Sequence, residues 1–220
     1  MITVVSTRRG PAGSTRPSTR SVQRKTANGS SARREELLAI AAEMFAAQGF
    51  LATTVREIAD TAGILSGSLY HHFDSKESMV DEILRDFLDS QQRAYNEVLR
   101  EHTDAREVII ELVRVSFRSI GSYQQAIAIF QNESKYLSQF ERFSYLKQIS
   151  QSFERTWLQV LQQGLKAGVF RADLNPKLVY RFIRDTVWTT VHWYNPRGRL
   201  STDTIADQYI TILCDGIIAR

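Results

Sequence analysis

Two sets of side chains in this sequence have the types and spacing for chemistry. The first is the run Ser66-Gly67-Ser68-Leu69-Tyr70-His71-His72-Phe73, where two imidazoles follow a phenol and two hydroxyls. Adjacent histidines admit a metal site, a catalytic pair, or a polar surface made for a partner. Neighbours on a helix point about 100° apart, so His71 and His72 do not readily converge on one metal ion. The second set is Tyr180, Arg184, Trp188 and His192, each four residues after the last, which on a helix form one ridge. A guanidinium and an imidazole among aromatics are unusual in a plain core, where charge is rarely buried unless paired. Pairing with Asp185 or Glu133 gives Arg184 a structural reading. The functional reading is a pocket wall, with Arg184 meeting an anionic group and Trp188 lying against an apolar ring. Tyr123, Phe130, Tyr136, Phe153 and Trp157 supply an opposite wall or are simply core.

Enzymatic chemistry finds little support. There is no G-x-S-x-G nucleophile signal, no convincingly placed carboxylate pair, and the lone Cys214 sits in an apolar terminal segment. Four histidines and one cysteine are a poor basis for a structural zinc, and no cofactor is expected. The single cysteine points to a reducing cytoplasm. No run approaches the roughly 20 apolar residues that span a bilayer, and no secretory leader opens the chain.

The elements that must carry these groups are helical. Leu37, Ala41, Met44, Phe45 and Gln48 keep a 3.6-residue spacing from Ser31 to a stop at Gly49. Thr54-Val55-Arg56-Glu57 is a capping box opening a helix that ends at Gly63. Ser66 opens a short helix to about His72, and Asp74-Ser75 caps a long one from Lys76 to about Arg100. Segments near 105–120, 122–137, 142–167, 176–194 and 202–218 repeat the helical pattern, with Gly168 and Asn175-Pro176 as punctuation. The expectation is an all-α protein of about nine helices. Residues 1–30 form a disordered basic arm, residues 31–77 a three-helix unit, and residues 78–220 a larger bundle.

Two short helices joined at Gly63 have the proportions of a helix-turn-helix. Ile58, Ala59 and Ala62 pack towards Ile64 and Leu69, leaving Ser66, Ser68, Tyr70 and His71 outward beside Gly67. Such hydroxyls, a phenol and an imidazole suit phosphates and base edges in a DNA major groove. Thr54 at a helix N-terminus, Arg56 and Lys76 add contacts for the backbone. Phe73 reads as core, and His72 faces a phosphate or the edge of the unit.

The stretch TTVREIADTAGILSGSLYHHFDSKESMVDEIL resembles the DNA-binding domain of the TetR family of transcriptional repressors over nearly its whole length. By position, the resemblance places Thr54, Gly67, Ser68, Tyr70, His71, His72 and Lys76 at DNA. Leu65 stands where many members have serine, so the recognition helix is capped by Ser66 or by nothing. The resemblance further implies a homodimer built on residues 176–194 and 202–218, two half-sites of a palindromic operator, and a small-molecule effector. Ile205, Tyr209, Ile212, Leu213 and Ile217 make a stripe that fits an interface and a monomer's core alike. The strings GILSGSLYHHF, RFSYL and LVYRFIRDT are also similar to actinobacterial repressors of late cholesterol-degradation genes within that family. That similarity implies an effector that is a CoA thioester of a steroid-ring remnant carrying a propanoate side chain, which Arg184, Trp188 and His192 on the ridge begun by Tyr180 would suit. Chemistry alone leaves a fatty acyl-CoA, a free acid or a drug open as alternatives, with control of lipid metabolism or efflux.

Charge is unevenly spread. The net of +4 arises because residues 1–34 hold eight basic groups and no acid, leaving 20 basic against 24 acidic groups beyond them. A basic arm on an acidic body suggests a polyanion near the N-terminal end, or only solvation. Non-specific DNA packaging is the third class this raises, and operator specificity separates it from a repressor.

Overall fold

Apolar positions at helical spacing, each run opened by a hydrogen-bonding cap, account for the architecture. The structure, a computed structural model, describes residues 19–217 and the side chains of residues 31–215. Its helices are α1 (Thr19–Gln48), α2 (Val55–Thr61), α3 (Ser66–Leu69), α4 (Lys76–Glu101), α5 (Ala105–Leu137), α6 (Tyr145–Lys166), α7 (Pro176–Thr189) and α8 (Thr202–Ile217). Single 3-10 turns lie at Glu141–Phe143 and Thr190–His192. No strand occurs among the described residues, in agreement with the all-α expectation. No helix among them is long and apolar enough to cross a membrane.

Three boundaries differ from expectation. First, the helix expected from Ser31 begins at Thr19, so residues 19–30 are helical rather than part of a disordered arm. Arg20, Gln23, Arg24, Lys25 and Ala27 are acceptable helix formers, and no proline follows Pro17 there. Residues 1–18 of the expected arm lie outside the described residues. Second, the segments 105–120 and 122–137 form one helix, α5, bent at Tyr123 (φ −129°, ψ 29°). A glycine without a following proline weakens a helix but need not end it. A Cβ at Gly121 would come 3.4 Å from the Thr202 side chain, an ordinary contact, so Gly121 lies beside the start of α8. Eight α-helices result among the described residues. Third, the described residues divide into compact units between Glu36 and Leu37, inside the first expected helix.

Within the second unit the head is built as its local signals require. Thr54 caps α2 with the complete capping box: Glu57 donates its backbone N–H to the Thr54 hydroxyl (3.2 Å), and Thr54 N–H donates to the Glu57 carboxylate (2.8 Å). The Thr54 hydroxyl also donates to that carboxylate (2.8 Å), and this bond first, then the one from the Thr54 N–H, holds the Glu57 carboxyl below its usual range. Gly63 has a φ of +68°, a left-handed conformation that favours glycine, and it turns the chain into α3. Leu37, Ala41, Phe45, Ile58, Ala59, Leu69 and Phe73 are buried.

The loop between α1 and α2 is tied down from two sides. Thr53, fully buried, donates its hydroxyl to the Gly49 carbonyl (2.8 Å). Lys76, at the start of α4, donates to the carbonyls of Phe50 (2.9 Å) and Thr53 (3.0 Å) and lies 4.4 Å over the Phe50 ring. From α5, Glu133 accepts the Phe50 N–H at 3.2 Å, and the Tyr136 ring stands 6.5 Å from that of Phe50. α8 lies along α5 through Arg118–Asp203 (2.7 Å), Arg114–Asp207 (3.2 Å) and the Phe117–Tyr209 ring pair.

Candidate nucleic-acid interface and effector cavity

α3 is only four residues long, so little of its surface can be covered by its own unit. Leu69 is buried, whereas Gly67, Tyr70 and His71 are exposed and Ser66, Ser68 and His72 half-buried. Leu65 occupies the N-cap position with no side-chain cap bond, so α3 is capped by nothing. The helix also stops earlier than expected: Tyr70 is its C-cap, and His71 and His72 lie in the turn that follows. A Cβ at Gly67 would meet nothing within 4 Å, which leaves open space for a partner's backbone. Thr54, Tyr70 and Lys76 line one shallow groove of about 330 Å³ on this face. Arg56 is 84% exposed and only loosely paired with Asp60, at 3.8 Å.

One residue of the expected DNA set is differently employed. The Lys76 ammonium is spent on the Phe50 and Thr53 carbonyls, so it is an internal clamp where an outward charge was expected. A flexible side chain beside a loop with unsatisfied carbonyls finds them at no cost in chain entropy beyond its own rotamers. No group of three or more metal-ligating side chains gathers among the described residues, at the histidines or elsewhere. Tyr70→Phe removes one exposed hydroxyl without touching the core. It should weaken operator binding about three- to ten-fold in fluorescence anisotropy with an unchanged melting temperature.

The second expected set meets at a cavity of about 600 Å³ inside the bundle. Tyr180, Arg184 and Trp188 line it from α7, Phe130 from α5 and Trp157 from α6. Trp157 and Tyr180 are nearly buried, with rings 6.5 Å apart, and burial pushes the Tyr180 phenol up to about 12 against the opposing Arg184 charge. The phenol therefore stays a hydrogen-bond donor at neutral pH. Arg184, 43% exposed at the mouth, pairs with Asp185 at 2.8 Å and lies 5.7 Å from the Tyr180 ring. The acid pairing and the pocket wall are thus both present. Glu133, the other acid considered for Arg184, holds Phe50 instead.

Three expected residues do not line this cavity: His192, Tyr123, and Tyr136, whose ring stands by Phe50 instead. α7 ends at Thr189 and tightens to a 3-10 turn, which advances about 120° per residue instead of 100°. His192 falls off the ridge and is exposed. Tyr123 sits at the bend of α5 and packs on Phe87, 5.7 Å between rings. The cavity also has lining that residue spacing did not single out: Lys135 and Lys147, and the hydroxyls of Ser134, Ser138 and Ser150. Serines scattered on two helices carry no sequence signal until the helices face each other.

Residues 37–83 match the family described as bacterial regulatory proteins, tetR family, and residues 102–217 match a tetracyclin repressor-like C-terminal domain. The chain belongs to the TetR family of helix-turn-helix transcriptional regulators, whose members are regulators and not enzymes. Within it, the chain is closely similar to the HTH-type transcriptional repressors called KstR2. It is 52% identical to the one from Rhodococcus jostii over 190 residues, covering 86% of this chain and 93% of that protein. It is 47% identical to the one from Mycobacterium tuberculosis over 185 residues, covering 84% and 92%. The solved structure of the ketosteroid transcriptional regulator KstR2 of M. tuberculosis superposes with a TM-score of 0.83, at 47% identity, over 86% of this chain and 96% of that one.

Proposed function

We propose that this chain is a repressor of steroid-catabolism genes that binds a palindromic operator as a homodimer and is released by a CoA thioester of a steroid-ring remnant. The observation that carries the effector half is the cavity. Its 600 Å³ fall within the roughly 300–1000 Å³ of small-molecule sites, with aromatic walls inside and Arg184 at the mouth. An apolar ring suits the Trp157–Tyr180–Trp188 walls, and the polyanionic carrier stays outside beside Arg184, Lys135 and Lys147. Leu178 and Phe182 on α7 and Ile212 on α8 are large, apolar and exposed (48%, 68% and 71%), which supports pairing through these helices.

Release requires only that effector and operator prefer different conformations. The 130–138 turns of α5 provide a route between them. Gln131, Ser134, Lys135 and Ser138 face the cavity, while Glu133 and Tyr136 hold the Phe50 loop that leads into α2. Glu133→Ala should leave effector affinity without operator within about three-fold, weaken operator binding because the Phe50 loop loses this tie, and reduce the mutual antagonism of the two ligands, read as effector affinity with and without operator.

The test is operator release titrated with steroid-derived CoA thioesters and their free acids. Thioesters should release DNA at lower concentration than the acids. Arg184→Ala should raise the thioester needed by about ten-fold or more, since a charge-assisted contact is lost. Release by none of the thioesters would end the steroid assignment and leave the repressor standing.

A further inference from the structure

The most exposed large apolar side chain among the described residues is Leu65, at 80%. It stands in the turn between α2 and α3 and belongs to neither α7 nor α8, so pairing through those helices does not account for it. Leu65 holds the N-cap position of α3, where Ser, Thr, Asp or Asn would accept a backbone N–H, and its side chain makes no cap bond. A leucine here forgoes a stabilising hydrogen bond and leaves an isobutyl group in water. Neither feature helps this unit to fold.

The backbone under that side chain is nevertheless well anchored. Ile64 packs against the core and donates its N–H to the Ala59 carbonyl at 3.0 Å, while the Leu65 carbonyl accepts the Ser68 N–H at 2.8 Å. Leu69, one turn further on, is fully buried. The isobutyl group is thus presented from a fixed Cα, and ordering it against a partner costs only its own rotamers. Close by in the chain are Gly67, where a Cβ would meet nothing within 4 Å, and the exposed Tyr70.

A leucine side chain has no donor or acceptor, so it offers nothing to a phosphate or to the polar edge of a purine or cytosine. The apolar group that the four ordinary bases display in the major groove is the 5-methyl of thymine. We propose that Leu65 is a specificity-determining residue of the operator contact, its isobutyl group lying against a thymine methyl in each half-site. Cytosine at that place would set its amino group against hydrocarbon, away from water and without an acceptor. This rests on reading the α3 face as the DNA surface and goes beyond it, because it gives a base preference to a residue with no polar atom in its side chain.

Fluorescence anisotropy of the full chain on the palindromic site footprinted in its own promoter provides the test. Uracil replaces thymine one symmetric pair at a time, which removes the methyl groups and keeps every hydrogen-bonding group. At one such pair the unaltered chain should lose about ten-fold in affinity, the product of roughly three- to four-fold for each methyl. Leu65→Ala should bind the thymine and uracil duplexes of that pair within about two-fold of each other. Leu65→Ser should do the same with an unchanged or higher melting temperature, because its hydroxyl supplies the missing cap. No uracil pair that weakens binding, or a uracil effect that both variants retain, overturns the assignment and leaves the DNA face in place. Binding of the unaltered chain to the site no tighter than to scrambled duplex at the same salt sinks the operator reading and the assignment together.

Discussion

Lys76→Ala is expected to lower operator affinity about ten-fold or more while leaving the slope of log affinity against log salt unchanged. The ammonium sits 2.9 and 3.0 Å from the Phe50 and Thr53 carbonyls and 4.4 Å from the Phe50 ring. Without it, these half-buried carbonyls lose their donor, at about 1–3 kcal/mol for a polar group left unsatisfied. The loosened segment leads straight into Thr54, the cap of α2, so Thr54 and Arg56 lose their set positions. A lysine that met a phosphate would instead change the salt slope by about 0.9 on removal. Anisotropy titrations at several salt concentrations separate the outcomes, and amide exchange at residues 50–54 should quicken in the variant. A slope that falls by about one would mean that the side chain leaves the loop for the DNA backbone.

Gly164→Ala should destabilise the bundle by about 1–3 kcal/mol, as overpacking does, and lower the melting temperature by roughly 2–4 °C per kcal/mol for a chain of this size. An added Cβ would lie 2.2, 2.3 and 2.9 Å from three atoms of the Phe170 ring. Phe170 is itself buried, and its N–H and that of Val169 both turn back to the Gly164 carbonyl, so the ring has little room to retreat. Alanine gains up to about 1 kcal/mol of helix propensity over glycine, and an overlap of this depth outweighs it. Calorimetry of Gly164→Ala, of Phe170→Leu and of the pair checks the cause: the double variant should lose less than the sum of the singles. An unchanged melting temperature in Gly164→Ala would show that the ring turns aside easily.

The head was legible because its signals are local. A threonine three residues before a glutamate, a glycine where φ must be positive, and a serine before Lys76 specify their hydrogen bonds within a few residues. The i, i+4 ridge on α7 was legible for the same reason through Tyr180, Arg184 and Trp188. It failed at His192, because Thr190 begins a tighter turn in which its hydroxyl bonds back to the Thr186 carbonyl at 3.0 Å. The bend in α5 was read as a break, since a glycine's packing against Thr202 is invisible along the chain.

What the sequence determined by itself is therefore the helical architecture, the short exposed turn around Tyr70 and one wall of a cavity. Each depends on bonds or spacings that close within about one or two helical turns. What only the tertiary structure decided is where long side chains end and which walls face each other. Lys76 reaches back over some 26 residues to the Phe50 carbonyl, and Glu133 over 83 to its N–H. Gln131 becomes part of a cavity only once α5 lies opposite α6 and α7. Such contacts arise from packing between helices distant in sequence, so no local pattern announces them.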